Sequence, residues 1–312
     1  MFGQGNSIRT GIDFGATSVK LVRGAGRGRL DAVTHLGVEP VAGADAQAAG
    51  AALRRLLDRL GLRRSQLGRI AVAAAGPEIA CREVSVAAMG KDTLARALPF
   101  EARRHLELET MVQPVVDFQV LGTIPDAHGA DGQIRVLFAA APRTVRDFPV
   151  EALRVAGLEP DVVDLEPLAA LNALAGSGAI AGVGEHAVGL LDLGSARAML
   201  HVWGPEGGLL SREVGPAAGV GGGDVWSGGL TGAVRETIVF FRGRFRREVV
   251  HLYLTGGGSA APGLVEALGA ALGLDVTVFD PLPGLALPGG DTAEGPRYTV
   301  ACGLCRWWDS TH

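Results

Sequence analysis

One pattern constrains the fold of this chain more than any other, because it occurs twice and far apart. Gly11-Ile12-Asp13-Phe14-Gly15-Ala16-Thr17-Ser18-Val19-Lys20-Leu21-Val22 is an apolar strand, a turn of small residues and a second strand. Gly189-Leu190-Leu191-Asp192-Leu193-Gly194-Ser195-Ala196-Arg197-Ala198-Met199-Leu200-His201-Val202 repeats the order: strand, Asp, apolar residue, Gly, small polar turn, strand. Apolar residues alternating on either side of a short turn signal a β-hairpin. A chain of 312 residues is too long for one small core and suits two lobes. A third stretch, Leu252-Tyr253-Leu254-Thr255-Gly256-Gly257-Gly258-Ser259, is a strand running into a triple-glycine turn, and the helical segment Gly263 to Leu268 follows it.

The chemistry of these turns points to an anion. Small residues let backbone N–H groups approach a ligand, and the hydroxyls of Thr17 and Ser18 add donors. Asp13 stands just before its turn, where a carboxylate can hold waters around Mg²⁺, which dehydrates reluctantly. Lys20 follows the turn by two residues, a spacing that can return its ammonium to a phosphate. A single such stretch is equally an ordinary hairpin with a solvated Asp and Lys. Three in this order resemble the actin-like ATPase fold that sugar kinases share.

That resemblance implies roles for named residues. Gly15, Ala16, Thr17 and Ser18 form a first phosphate turn, and Gly194, Ser195 and Ala196 a second. Asp13 and Asp192 would orient Mg²⁺ through water, and Lys20 would be the counter-charge to phosphate. Gly256, Gly257, Gly258 and Ser259 would form the adenosine loop, with the following helix N-terminus favouring negative charge. ATP and Mg²⁺ are the implied cofactors. No catalytic residue is assigned, and at most weak ATPase activity is expected.

Composition excludes other classes. Hydrophobic residues make up 47% of the chain and aromatic residues 5%, so the core must be mostly Ala, Val and Leu. The formal net charge of −4 gives no overall attraction to nucleic acid or anionic lipid. Arginine pairs at Arg54-Arg55, Arg63-Arg64 and Arg103-Arg104, and the run Arg242 to Arg247, read as solvated helix faces. No apolar run approaches the ~20 residues of a membrane helix. A cytoplasmic protein without direct membrane insertion is expected. Cys302-Gly303-Leu304-Cys305 matches C-x-x-C, but no second cysteine pair or histidine spacing accompanies it. A buried helix with Cys as a small hydrophobe is the better reading.

The rest of the chain fits two lobes. Leu30 to Val38 alternates as a third strand. Ala46 to Leu60 is an amphipathic helix ended by Gly61. Arg69 to Ala74 is a buried strand. Thr93 to Glu109 reads as a helix with Leu94, Leu98, Phe100 and Leu106 on its apolar face and a start or kink at Pro99. Pro114 to Leu121 and Gln133 to Ala140 are strands around a Gly/Asp-rich loop from Gly122 to Gly132. Val145 to Ala156 and Pro167 to Leu174 are helices, the second returning towards the first lobe. Helix-like sequence from Thr231 to Arg247 carries Val234, Ile238, Phe241 and Phe245 at helical spacing, which predicts core packing.

Three segments narrow the resemblance. Leu98-Pro99-Phe100-Glu101-Ala102, Val116-Asp117-Phe118-Gln119-Val120-Leu121 and Ala156-Gly157-Leu158-Glu159-Pro160-Asp161-Val162-Val163-Asp164 resemble the PilM family. These are actin-like proteins of type IV pilus assembly, related to FtsA. The resemblance covers almost the whole chain. It implies a first lobe over 1–175 with a 1C-type insertion at about 85–154, and a second lobe over 176–312. It further implies a scaffold at the inner membrane that grips the N-terminal cytoplasmic tail of a PilN-like single-span protein, alongside other pilus platform proteins. Gly221-Gly222-Gly223-Asp224 resembles the start of the family's outer subdomain. Only about thirty residues then precede the adenosine loop, enough for one or two helices at ~1.5 Å per residue. That subdomain is expected to be reduced, which puts base recognition in doubt. Two alternatives belong to other classes: a platform protein of type II secretion that no longer binds nucleotide, and a small-molecule kinase. A kinase needs a base such as Asp92, Asp117 or Asp126, and none sits in a kinase-like motif.

Overall fold

The computed structural model describes residues 7–26, 30–125, 131–204, 208–216, 229–287 and 294–307. Gly221-Gly222-Gly223-Asp224 and Asp126 lie outside the described residues. The opening hairpin is β1 (Ser7–Phe14) and β2 (Ser18–Gly26), with Phe14 opposite Val19 and Asp13 opposite Lys20. β3 (Ala32–Pro40) pairs with β2. α1 (Ala46–Leu60) follows; the Asp45 carboxylate accepts from Ala48 N–H at 2.7 Å, and Gly61 ends the helix in the left-handed region at φ 66°. β4 (Arg69–Ala74) then runs parallel to β1.

A separate small sheet comes next. β5 (Ala80–Ala87), β6 (Pro114–Pro125) and β7 (Asp131–Pro142) pair in the order β5-β7-β6, with α2 (Lys91–His105) on one face. Leu94, Ala102, Leu106, Val136 and Phe138 give it a core of its own. Three local expectations differ from the structure. Phe100 is 74% exposed rather than on the apolar face. α2 continues on both sides of Pro99 and ends at His105. The β6–β7 ladder runs on past Gly122 to Pro125 opposite Asp131, so the loop expected from Gly122 is shorter.

α3 (Arg143–Val155) returns to the first core, where Ala152 and Leu153 pack with Leu53, Leu56 and Val72. β8 (Val162–Leu165) completes a five-stranded sheet, β3-β2-β1-β4-β8. The second lobe repeats this plan. β9 (Ala187–Leu193), β10 (Arg197–Gly204), β11 (Gly208–Pro216), β12 (Val249–Thr255) and β13 (Asp275–Val278) form the sheet β11-β10-β9-β12-β13. α5 (Thr231–Phe245) and α6 (Leu264–Leu272) cover it. Val234 and Phe241 are fully buried there, with Ile238 and Phe245 against them, so that stripe is core packing.

Two helices join the lobes. α4 (Glu166–Gly176) sends Ala170, Ala173 and Leu174 against Val188 and Leu190 of the second sheet. α7 (Thr299–Arg306) lies on the first sheet, with Val300 and Leu304 against Ala71 and Ala73. The sequence order that puts 299–306 in the second lobe is thus crossed by the packing. α4 and α7 approach so closely that a Cβ on Gly303 would stand 1.7 Å from the Ala169 carbonyl oxygen. Cys302 and Cys305 are fully buried in α7, as the helix reading requires. No helix among the described residues is long and apolar enough to cross a membrane.

Candidate functional site

A cleft of about 740 Å³ lies between the two lobes. Both repeated turns open into it. In the first, Gly15 N–H donates to the Ser18 carbonyl at 3.0 Å; in the second, Gly194 N–H donates to the Arg197 carbonyl at 3.1 Å. The turns therefore share one backbone geometry, and both put their two central residues, Ala16-Thr17 and Ser195-Ala196, on the surface. They meet across the cleft, where the Thr17 and Ser195 hydroxyls hydrogen-bond at 2.9 Å.

Strand register places the charges. Asp13 and Lys20 are cross-strand neighbours, so their side chains share a face, and Lys20 Nζ lies 2.7 Å from Asp13 Oδ2. Burial works against the Lys20 ammonium, but the fields of Asp13, then Asp192 and Glu166, outweigh it and raise its pKa above the ordinary value. Asp192 holds the corresponding position in the second hairpin, opposite Met199. Burial pushes its carboxyl up to about 6; Lys20 and Arg197 pull it down, and Asp13 pushes it further up. The strand-to-helix junction before α4 adds Glu166. Burial, then the Asp192 charge, pushes its carboxyl up to about 7. Arg197 Nη2 stands 3.6 Å from Glu166 Oε2, an oxygen with no hydrogen bond.

The triple-glycine loop divides. Gly256 and Gly257 line the cleft. Gly256 has φ 82°, and a Cβ there would come within 2.3 Å of Asp192 Oδ1, so only glycine fits. Gly258 and Ser259 turn away from the cleft wall. Gly258 N–H donates to the Leu193 carbonyl at 2.9 Å, and the buried Ser259 hydroxyl donates to the Gly256 carbonyl at 2.8 Å. They brace the loop, and neither lines the cleft. α6 begins at Leu264, after Gly263, so its N-terminus is separated from the glycine turn.

The residues that sequence reasoning overlooked are Glu166 and Arg197. Aligning the hairpins would have found Arg197, which stands where the first has Ser18. Glu166 had a signal in its place before Pro167, at the start of a helix entering the cleft. The kinase candidates are elsewhere: Asp92 and Asp117 lie on the small sheet's subdomain and neither lines the cleft.

The cleft charges fit phosphate with a metal better than either alone. Asp13, Asp192 and Glu166 face two cations, Lys20 and Arg197. Phosphate alone would deepen this negative excess, whereas a divalent cation would offset it. Among the described residues no three His, Cys, Asp or Glu side chains are grouped as metal ligands.

No model of a known protein family matches the chain, and no curated protein sequence matches it. Solved structures do. A chain of the PilM-PilN type IV pilus biogenesis complex is similar over 95% of this chain and 97% of that one, with 23% identity and a TM-score of 0.77. Ethanolamine utilization protein EutJ from Carboxydothermus hydrogenoformans is similar over 96% and 89%, with 16% identity and a TM-score of 0.47. The cytoplasmic domain of EpsL, an inner membrane component of the type II secretion system of Vibrio cholerae, is similar over 91% and 87%, with 12% identity and a TM-score of 0.46. The architecture is the mixed α/β, two-lobed actin-like ATPase fold, and it follows the pilus-complex chain from end to end.

Proposed function

We propose that this chain is a PilM-type, nucleotide-binding assembly factor of a type IV pilus or a related secretion platform. In this reading it binds ATP with Mg²⁺ in the cleft. It holds the N-terminal cytoplasmic tail of a PilN-like single-span inner-membrane protein on its first lobe, near the small inserted sheet. It works at the cytoplasmic side of that membrane, beside other platform proteins. The observation that carries the nucleotide part is the meeting of two like turns, each behind an Asp, over a common cleft. The partner is carried by likeness of fold to the PilM-PilN complex.

Within the site, the two turns would grip phosphates with backbone N–H groups and the hydroxyls of Thr17, Ser18 and Ser195. Lys20 would offset phosphate charge, and Asp13 and Asp192 would hold the waters of Mg²⁺. The metal would supply charge neutralisation at the phosphates. The adenine end is sparser. Among the described residues only α5 stands between β11 and β12, and Gly256, Gly257, Pro296 and Arg297 line that end of the cleft. Few groups there can pair the edge of a base, so binding is weak and indifferent to the base, with hydrolysis slow or absent.

A second reading, a platform scaffold without nucleotide, draws on the Thr17–Ser195 bond, because it ties the turns directly to each other. Calorimetric titration with Mg-ATP, Mg-GTP and Mg-ADP separates the two. Comparable, weak binding of ATP and GTP is expected. Thermal stabilisation by ligand, roughly 2.7 kcal/mol at a hundredfold excess over Kd, should vanish in Asp13→Ala. No binding of any nucleotide would leave the scaffold reading. Sub-micromolar ATP binding with strong preference over GTP would overturn the base-indifferent site. Pull-down with tail peptides of candidate membrane partners tests the partner separately.

A further inference from the structure

The outer face of α5 lies away from the cleft and plays no part in the reading above. Its inner face, with Val234, Thr237 and Phe241, is buried in the second core. The run Ile238-Val239-Phe240-Phe241 is apolar on all sides of the helix, and the fold uses only part of it. Val239 and Phe240 remain 50% and 46% exposed. At about 100° per residue, they share the outer face with Gly243. Arg242 flanks them on one side and Arg244 on the other, while Arg235, on the Arg242 side, donates to the Ala271 carbonyl of α6. Exposed Arg246 follows at the helix C-cap, and Arg212 of β11 lies over the Phe240 ring at 5.3 Å. Among the described residues, two acids share this surface. Glu236 is on the outer face, and Glu248 stands 3.7 Å from Arg242 with both side chains more than half exposed, a weak pair. The face is therefore positive, although the chain's formal net charge is −4.

We propose that this face of α5 rests on the anionic headgroups of a lipid bilayer. Val239 and Phe240 enter the boundary with the acyl chains, and the arginines on both flanks reach lipid phosphates. An apolar centre with cations at both edges suits a membrane surface, where long basic side chains lie outward along the interface. A nucleic acid backbone would instead favour cations at the centre of the strip and an open ring for stacking, and Phe240 already has Arg212 over its face. Arg212, Arg242, Arg244 and Arg246 exceed the nearby acids, so the attraction depends on anionic lipid and falls with salt.

The test is co-sedimentation of the full purified chain with vesicles of phosphatidylcholine alone or mixed with phosphatidylglycerol, with no protein partner present. Binding only to the mixed vesicles, lost as salt rises, is expected. Arg242→Gln and Arg244→Gln should each lower the partition coefficient roughly fivefold. Phe240→Ser or Val239→Ser should lower it too, with an unchanged circular dichroism spectrum. Arg63→Gln, on the other lobe, should leave it as it was. Absence of sedimentation at low salt, equal sedimentation with both vesicles, or indifference to the α5 variants would overturn the proposal. So would displacement of the vesicles by duplex DNA or RNA bound through the same arginines.

Discussion

The two hairpins that face each other across the cleft have the same turn and different charge arrangements. Asp13 and Asp192 stand at matching positions, and Gly15 and Gly194 close matching turns. Opposite Asp13 is Lys20, 2.7 Å away; opposite Asp192 is Met199, which is buried and neutral. The first lobe therefore neutralises its own carboxylate. The second borrows positive charge from Lys20 across the cleft and from Arg197, which is shared with Glu166. Backbone duplication supplies a grip common to both lobes, and side-chain divergence makes the charge balance a property of the lobes together. The same contrast runs through the sheets. Their strand orders match, yet the first lobe carries a three-stranded insertion between β4 and α3, while β12 leads to α6 through a short glycine turn.

The comparison breaks most completely where the lobes are joined. Gly303→Ala places a methyl 1.7 Å from the Ala169 carbonyl oxygen, and neither backbone can move without shifting α4 or α7 off its sheet. A loss of about 3 kcal/mol is expected, at the upper end for overpacking. Gly243→Ala, in a helix where the new methyl meets nothing within 4 Å, should instead gain up to ~1 kcal/mol from helix propensity. Urea midpoints at constant slope measure both. Equal effects would show that the α4–α7 contact is not tight.

Lys20→Met gives the first hairpin the residue that the second already has. It leaves Asp13 buried without its cation. Breaking a fully buried pair costs ~3–5 kcal/mol. Lys20 keeps 18% of its side-chain exposure, so about 2 kcal/mol is expected here. Adding Asp13→Asn should recover most of that loss, because no charge is then stranded. If the double variant is as unstable as Lys20→Met, the ion pair is not the cause. Met199→Ala costs only packing and should show no such rescue by Asp192→Asn.

Much of this architecture was legible in the sequence, for a physical reason. Hairpins, caps and amphipathic helices are local, and Asp45, Gly61 and the alternation around Gly15 and Gly194 announce them within a few residues. The C-x-x-C segment was legible as a buried helix because the residues before and between its cysteines are apolar. Contacts between distant segments were not. No local pattern says that α7 crosses to the first sheet, that Phe100 faces outward, or that Val239 and Phe240 are left over from the core. In the cleft, Asp13, Asp192 and the turn residues were found because the motif repeats. Glu166 was overlooked because its role rests on a charge cluster assembled from β1, β2, β9, β10 and α4. Gly258 and Ser259 were grouped with the loop because adjacency in sequence does not say which residues line the cleft.

The smallest effect separates the lobes by pH. Asp192 and Glu166 have carboxyls pushed up to about 6 and about 7, chiefly by burial. Above its unfolded value, a raised carboxyl keeps its proton longer in the folded state than in the unfolded one. The folded state therefore holds more protons between about pH 4 and pH 7, and stability falls as pH rises through that window. It levels off above about pH 8, where both groups are ionised in both states. From pH 8 to pH 6, Glu166 should return on the order of 1 kcal/mol and Asp192 less than that. Glu166→Gln should abolish the larger part and leave a nearly flat profile, while also relieving the protein at pH 8 of a poorly solvated charge. Lys20 does not titrate in this range, and its raised pKa keeps it charged throughout, so the first hairpin contributes a constant. Thermal melts of parent and Glu166→Gln across this range decide the matter. Parallel curves would mean that Glu166 is ionised at pH 6 beside Arg197, and that the second lobe's charge is as well compensated as the first.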